Sequence, residues 1–157
     1  GVPWKVLQAG DSINLDGMAL RVLAPEGGAR VGEGDGANGA SIVLEVRFGE
    51  FSALLTGDAT AESEGRFLTR TLSPRISVLK VGHHGSSTST SPELLRRIGA
   101  EVGLISVGRR NRFGHPDLGV LSRLREEGIQ IFRTDQSGAL RVRVRADGSY
   151  SVSTEGM

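Results

Sequence analysis

Two apolar runs that each end in a glycine turn and a potential metal ligand constrain this chain more than any other feature. The first run, Phe51–Leu55, leads into Asp58, and the second, residues 76–81, leads into His83 and His84. In α/β proteins the carboxyl ends of the strands open onto a shared crevice at the edge of the sheet. We therefore expect Asp58 and the histidine pair to be neighbours in space.

These residue types indicate a divalent metal site. A carboxylate oxygen and a neutral imidazole nitrogen suit zinc, manganese or iron, whereas calcium and magnesium prefer ligand sets made of oxygen atoms. A turn or helix-capping role for Asp58 is the simpler alternative. Consecutive residues of an extended chain point to opposite sides, so at most one of His83 and His84 is expected to serve the site directly. The other would support a ligand or contact substrate.

Short motifs extend this pattern in a fixed order along nearly the whole chain. They are Asn38-Gly39-Ala40-Ser41-Ile42-Val43-Leu44, Leu54-Leu55-Thr56-Gly57-Asp58-Ala59, Leu79-Lys80-Val81-Gly82-His83-His84-Gly85-Ser86, Ile105-Ser106-Val107-Gly108, Asn111-Arg112-Phe113-Gly114-His115-Pro116, Arg133-Thr134-Asp135 and Gly138-Ala139. The series resembles the carboxy-terminal metallo-β-lactamase-like domain of the ComEC family of DNA-internalisation competence proteins.

The resemblance implies a four-layer αββα sandwich in which a pair of metal ions activates a water that attacks a phosphodiester. It implies that Asp58 is the carboxylate that bridges the metals and that His83 completes the second metal site. His84 is a further candidate ligand. The resemblance implies that His115 contacts substrate or transfers a proton rather than binding metal.

The chain departs from this pattern in the number of its ligands. Enzymes of the superfamily take several ligands from an earlier His-x-His/Asp-x-Asp-His motif and from a further histidine, but this chain contains 3 histidines in all. A catalytic zinc takes about three protein ligands. We therefore interpret residues 1–157 as one domain, the later portion of a larger metallo-β-lactamase-like domain without its first ligand-bearing strands. Its metal site is expected to be incomplete, and the isolated chain inactive.

Candidate substrate contacts follow the two histidine motifs. The chain has 19 basic and 18 acidic residues, so any attraction for DNA must be local. Phosphate contacts are assigned to the serines of the first loop and to the basic segment before His115, namely Ser86, Ser87, Arg109, Arg110, Asn111 and Arg112. Ordinary loop chemistry and a solvated basic turn are the alternatives. Aromatic residues make up 4% of the chain, which does not favour a base-stacking platform.

The resemblance also implies partners and a location. The parent protein would be a polytopic channel of the cell membrane that carries this domain on its extracytoplasmic face and takes up DNA. The chain itself has no apolar run of about 20 residues and is expected to be soluble. Homodimers are possible through an apolar face left by the missing strands. A non-catalytic module that docks DNA or a partner subunit is the alternative function.

Hydrophobic periodicity predicts a mixed α/β sheet. Strands are expected at residues 13–15, 19–23, 42–48, 51–55, 76–81, 102–106, 129–133, 139–144 and 150–152. Helices are expected at residues 59–68, 92–98 and 118–127. Arg141, Arg143 and Arg145 alternate with valines and are assigned to the exposed face of a strand. The glycine-rich residues 26–39 are interpreted as a mobile loop.

Overall fold

A computed structural model of the chain describes residues 4–27, 36–70 and 72–155. Seven strands form one sheet in sequential order, and two more form a separate hairpin. The sheet strands are β1 (Ser12–Leu15), β2 (Met18–Ala24), β3 (Val43–Phe48), β4 (Phe51–Leu55), β5 (Val78–Lys80), β6 (Val102–Ile105) and β7 (Gln130–Arg133). The hairpin strands are β8 (Ala139–Val144) and β9 (Tyr150–Glu155). The helices are α1 (Ala61–Phe67), α2 (Pro92–Ile98), α3 (Leu118–Glu126) and α4 (Thr134–Ser137).

The sheet changes direction at β4. Strands β1 to β4 form an antiparallel meander whose first turn is Asp16-Gly17, where both residues have positive φ as a tight hairpin requires. Strands β4 to β7 are parallel, and α1, α2 and α3 each return the chain to the next strand. The carboxyl ends of four parallel strands therefore meet at one edge of the sheet.

Local capping residues set where the connecting helices begin. Thr60 accepts a hydrogen bond from the Ser63 amide at the start of α1. Ser91 caps α2 with Pro92 in its first turn, as expected from the sequence, and α2 ends at Gly99 in the left-handed conformation. Helix α1 is shorter than the expected residues 59–68 because its cap is Thr60 rather than an earlier residue.

Each face of the sheet is covered by a different layer. Alternate strand residues such as Leu54 and Leu79 pack against the apolar faces of α1, α2 and α3 in the larger core. Their neighbours Ala53 and Val78 face the other way, against the β8–β9 hairpin, in a smaller core. The layer order across the described residues is therefore helices, seven-stranded sheet, hairpin.

The architecture matches the sequence predictions in most places and differs in a few. The mixed α/β sheet is confirmed, whereas the described residues form three layers rather than the four of the αββα sandwich. Arg141 and Arg143 are exposed on β8, as expected from their alternation with valines. Strand β5 is shorter than residues 76–81, and the short helix α4 was not expected. Most of the loop assigned to residues 26–39, from 28 to 35, lies outside the described residues.

No helix in the part of the chain that the structure describes has both the length and the apolar character needed to span a bilayer.

Candidate metal centre

Polar side chains collect where the parallel strands end. Asp58 follows β4, His83 and His84 follow β5, Ser106 follows β6, and Thr134 follows β7. This is the edge of an α/β sheet at which binding sites are usually built. The structure therefore brings together the two strand ends from which the metal site was predicted.

The turn that carries Asp58 depends on Gly57. Gly57 has a φ of +56°, and a Cβ added to it would lie 3.1 Å from Ser41 Cβ and 3.2 Å from the Ile42 carbonyl oxygen. The Asp58 amide donates to Ser41 Oγ at 3.1 Å. Thr60, and not Asp58, caps the following helix, so the helix-capping alternative for Asp58 does not apply. Its carboxylate is left half-exposed at the sheet edge.

We expect Gly57→Ala to lower the free energy of unfolding by about 1–2 kcal/mol, because a side chain is strained at positive φ and crowds Ser41. Urea unfolding measures this change. Gly65→Ala is the matched control, since Gly65 is an exposed residue of α1 with no atom within 4 Å of an added Cβ. It should be neutral or stabilise by up to about 1 kcal/mol. Equal effects of the two substitutions would contradict this account of the turn.

The histidine pair lies in a tight left-handed turn. His83 has φ 46° and ψ 44°, and His84 has φ 56° and ψ 20°, within a 3-10 segment at Gly82–Gly85. The backbone at this pair is therefore not extended, contrary to the expectation, whereas the prediction that at most one of the two histidines serves the site directly stays a prediction. Their ring centroids are 6.4 Å apart, with the ring planes at 61° to each other. Positive φ at two consecutive non-glycine residues is uncommon and is found mainly at functional sites.

His84 is the ring that faces Asp58. Its Nδ1 lies 2.7 Å from the Ser106 carbonyl oxygen, which only accepts hydrogen bonds, so Nδ1 carries the proton. In the neutral ring Nε2 then holds a lone pair, and this atom lies 3.7 Å from Asp58 Oδ1. Metal-binding histidines commonly donate their second ring nitrogen to a backbone carbonyl in this way. The arrangement leaves the imidazole nitrogen that carries the lone pair 3.7 Å from a carboxylate oxygen.

His83 and His115 are the other two histidines at this edge of the sheet. The His83 and His115 ring centroids are 5.9 Å apart, and His83 Nδ1 lies 3.4 Å from Thr88 Oγ1. The His115 loop packs closely on the histidine turn, because a Cβ at Gly85 would lie 2.6 Å from Pro116 Cβ. The Asp117 amide also donates to the Gly85 carbonyl at 2.9 Å. All three histidines and Asp58 therefore belong to one cluster.

Buried hydrogen bonds hold the segment that follows the histidine turn. Ser89 Oγ donates to the Gly82 carbonyl at 2.9 Å, and the Gly82 amide donates to Thr90 Oγ1 at 3.2 Å. The fully buried Glu64 of α1 accepts from the Thr90 amide at 2.5 Å and from the Ser91 amide at 2.8 Å. This network connects the position of His83 and His84 to the helical layer.

A lysine lies under the Asp58 turn. Lys80 Nζ donates to the Gly57 carbonyl at 3.1 Å. Burial lowers the pKa of the Lys80 ammonium, and the nearby charge of Asp58 opposes part of this shift. Lys80 thus holds the backbone beside the carboxylate and places a positive charge at the sheet edge.

The remaining candidate residues divide into loop-building and exposed groups. Ser86 Oγ lies 3.0 Å from Thr88 Oγ1 and accepts from the Thr88 amide, whereas Ser87 is exposed. The Asn111 side chain accepts from the His115 amide at 2.9 Å and donates to the His115 carbonyl at 2.8 Å, so it builds the His115 loop. Three of the candidates are exposed on that loop: Arg109, Arg110 and Arg112.

A pocket of about 440 Å³ opens beside His84 and His115. Its wall includes Phe113, Asn111 and Thr134. Among the described residues no group of three or more His, Cys, Asp or Glu side chains is arranged to hold a metal ion. Ligands at about 2.0–2.2 Å from one cation lie at most about 4.4 Å apart. The 3.7 Å separation of Asp58 Oδ1 and His84 Nε2 therefore fits two ligands of one metal, but not a complete catalytic site.

Sequence reasoning did not assign roles to three residues of this region. Lys80 is a charged residue within a mainly apolar predicted strand, which was the signal available in the sequence. Glu64 lies on the buried face of α1, which helical periodicity alone places inward. The third is Phe113, an aromatic ring beside a histidine; no local pattern indicated that it lines the pocket.

Comparison with known proteins places the chain among competence proteins. It is 34% identical over 153 residues to ComE operon protein 3 of Bacillus subtilis and 40% identical over 134 residues to Recombination protein 2 of Haemophilus influenzae. It is 36% identical over 127 residues to competence protein ComA of Neisseria gonorrhoeae. These alignments cover 97%, 85% and 80% of the chain but 19%, 16% and 18% of the three relatives. The chain thus spans less than a fifth of the length of these relatives.

Comparison of structures supports the fold, while no family model matches the sequence. The chain superposes on CmlA β-hydroxylase (E377D mutant), a metallo-β-lactamase-fold protein, with a TM-score of 0.54 and 11% identity. The superposition covers 80% of this chain and 31% of that protein. At this identity the likeness concerns the fold alone. The family resemblance drawn from the motifs is confirmed by the sequence relatives: over most of its length this chain is a homologue of ComEC-related competence proteins.

Proposed function

We propose that this chain is the later portion of a metallo-β-lactamase-like domain that hydrolyses phosphodiester bonds of DNA entering the cell. The observation that carries the proposal is the pair formed by Asp58 Oδ1 and His84 Nε2, 3.7 Å apart, with the His84 proton held on Nδ1 by the Ser106 carbonyl. A carboxylate and an imidazole lone pair in this arrangement suit zinc or manganese. The family relationship supports DNA as the substrate.

In this proposal, the residues at the carboxyl edge of the sheet have different roles. Asp58 and His84 would hold a divalent metal, and the chemistry such a metal would supply there is activation of water as a nucleophile near neutral pH. Lys80 holds the turn that presents the Asp58 carboxylate. His83 and His115, whose rings lie 5.9 Å apart, stand where they can hold or transfer a proton at the scissile phosphate.

The residues described here supply two ligands, whereas catalysis of this kind needs about three for each metal. We propose that the remaining ligands come from an upstream segment of the parent protein. The parent is proposed to be a membrane channel for DNA uptake, with this domain on its extracytoplasmic face. If no such segment exists, the incomplete ligand set favours the second candidate, a non-catalytic module that docks DNA or a partner subunit.

The test is metal-dependent hydrolysis of DNA by the 157-residue chain and by a longer segment of the parent protein that includes its upstream sequence. We expect no appreciable hydrolysis by the short chain. The longer segment should cleave DNA with Mn²⁺ or Zn²⁺ and lose at least about 1,000-fold in rate with Asp58→Ala, since the metal supplies several kcal/mol of transition-state stabilisation.

Glu62→Ala is the matched control in the longer segment, because Glu62 is an exposed carboxylate on α1. It should leave the rate unchanged. If the short chain cleaves DNA in a metal-dependent way and Asp58→Ala abolishes this activity, the proposal that further ligands come from an upstream segment is contradicted. An inactive longer segment that binds metal would instead support the docking module.

A further inference from the structure

Phe113 is a large apolar side chain that lies in neither core of the protein. It is 81% exposed, and it belongs to the loop between β6 and α3. One face of its ring stacks on His115, with the centroids 5.8 Å apart and the planes 19° from parallel. The ring also lines the 440 Å³ pocket together with His84. An exposed aromatic ring at the wall of a largely apolar pocket that also holds two histidines is a candidate ligand contact.

The loop holds this ring in a defined place. The Asn111 side chain bonds both the amide and the carbonyl of His115, and it also donates to the Gly108 carbonyl at 3.1 Å. The loop begins at Val107, whose amide donates to Thr134 Oγ1 at 2.8 Å. Its other end is joined to Gly85 through the Asp117 amide. Phe113 is therefore presented beside the histidine cluster by backbone and side-chain bonds, while its own ring remains open to solvent.

The same loop carries positive charge. Arg109, Arg110 and Arg112 are all exposed and lie within four residues of Phe113. Arginines bind phosphate oxygens, and an aromatic face stacks on a base. The two features together are typical of surfaces that bind single-stranded nucleic acid, because the bases of a duplex are already stacked on one another. A duplex offers arginine contacts only, whereas an unpaired strand offers both.

We propose that Phe113 stacks on an unpaired base of single-stranded DNA and so selects a single strand for the Asp58–His84 pair. This inference rests on the proposed function, since it names the form of DNA that the same site receives. A single aromatic ring can stack on one base. The proposal therefore does not need the extended stacking platform that a content of 4% aromatic residues disfavours. The arginines of the loop hold the flanking phosphates, and Phe113 adds the preference for an unpaired base.

The test is binding of the 157-residue chain, without metal, to a fluorescent single strand of about 12 nucleotides and to a blunt duplex of the same sequence, at low salt. We expect the single strand to bind more tightly. Phe113→Ala should weaken single-strand binding by about fivefold or more and change duplex binding by less than about twofold. Phe113→Trp should retain the preference. Leu118→Ala is the matched control, because Leu118 is 80% exposed but does not line the pocket, and it should change neither affinity.

A scan of the single strand with one abasic site locates the stacked base. At one position the missing base should weaken native binding and remove the difference between the native chain and Phe113→Ala. Three results would overturn the inference. Phe113→Ala could weaken single-strand and duplex binding equally, it could leave single-strand binding unchanged, or the native chain could show no preference for the single strand. If the native chain shows no preference for the single strand while the longer segment still hydrolyses DNA, this inference alone is overturned. Retained preference with no metal-dependent hydrolysis overturns the proposed function alone.

Discussion

His84→Ala is expected to lower the affinity of the chain for Zn²⁺ or Mn²⁺ by at least about tenfold, and His83→Ala by much less. The reason is the direction of the two rings. His84 presents Nε2 to Asp58 at 3.7 Å with its proton held on Nδ1 by Ser106, whereas His83 Nδ1 lies beside Thr88 Oγ1. Changes to partners that merely orient a ligand already cost about 10- to 100-fold in metal affinity, so loss of a ligand should cost at least as much.

This expectation differs from the family resemblance, which implies that His83 completes the second metal site. Metal titration followed by calorimetry gives the affinities, and the nitrogen chemical shifts of the histidine rings report which atom binds Zn²⁺. His115→Ala is the control from the same cluster and should leave the affinity within about threefold of the native value. A Zn²⁺-induced shift at His83 with none at His84, or equal losses in the two alanine variants, would assign the metal to His83 instead.

Glu64→Ala is expected to lower the free energy of unfolding by about 3–5 kcal/mol, the largest effect on stability that we predict. The Glu64 carboxylate is fully buried and accepts the amides of Thr90 and Ser91. Removing it leaves one buried and one partly buried N–H donor without partners, at about 1–3 kcal/mol each, and a cavity beside them. Because these amides lie at the end of the histidine loop, the variant should also bind metal less tightly than the native chain.

Chemical denaturation measures this difference, and Glu62→Ala is the matched control two residues away on the same helix. Glu62 is exposed and pairs with Arg66 at 2.9 Å, an arrangement that contributes about 0.5 kcal/mol or less. Glu64→Gln keeps one acceptor oxygen and should fall between the native protein and Glu64→Ala. If Glu64→Ala costs no more than Glu62→Ala, the loop does not depend on the carboxylate.

The order of strands and helices could be predicted from sequence because its signals are local. The short apolar run Phe51–Leu55 predicts a buried strand, and the apolar face of Pro92–Ile98 predicts the side of that helix that is buried. Turn and cap residues such as Asp16-Gly17 and Ser91 then mark the ends. The meeting of Asp58 with the histidines at the strand ends also followed from sequence, since parallel strands bring their carboxyl ends to one edge.

The roles of the two adjacent histidines could not be predicted in this way. An extended strand would separate His83 from His84, but the chain turns left-handed as soon as β5 ends. That turn is held by contacts with residues far along the chain, including Pro116 against Gly85 and Glu64 against the segment that follows. The charge state of the Lys80 side chain likewise depends on its burial and on Asp58, neither of which a strand pattern reports.

The amino-acid sequence by itself determined the family, the succession of elements and the residue types that meet at the sheet edge, because these depend on side-chain periodicity and on motifs within a few residues. Only the tertiary structure decided that His84 faces Asp58 and that Phe113 stands open beside the pocket. The His84 proton position is set by a carbonyl 22 residues away in sequence, at Ser106. A bond between segments so far apart exists only once the strands have packed side by side.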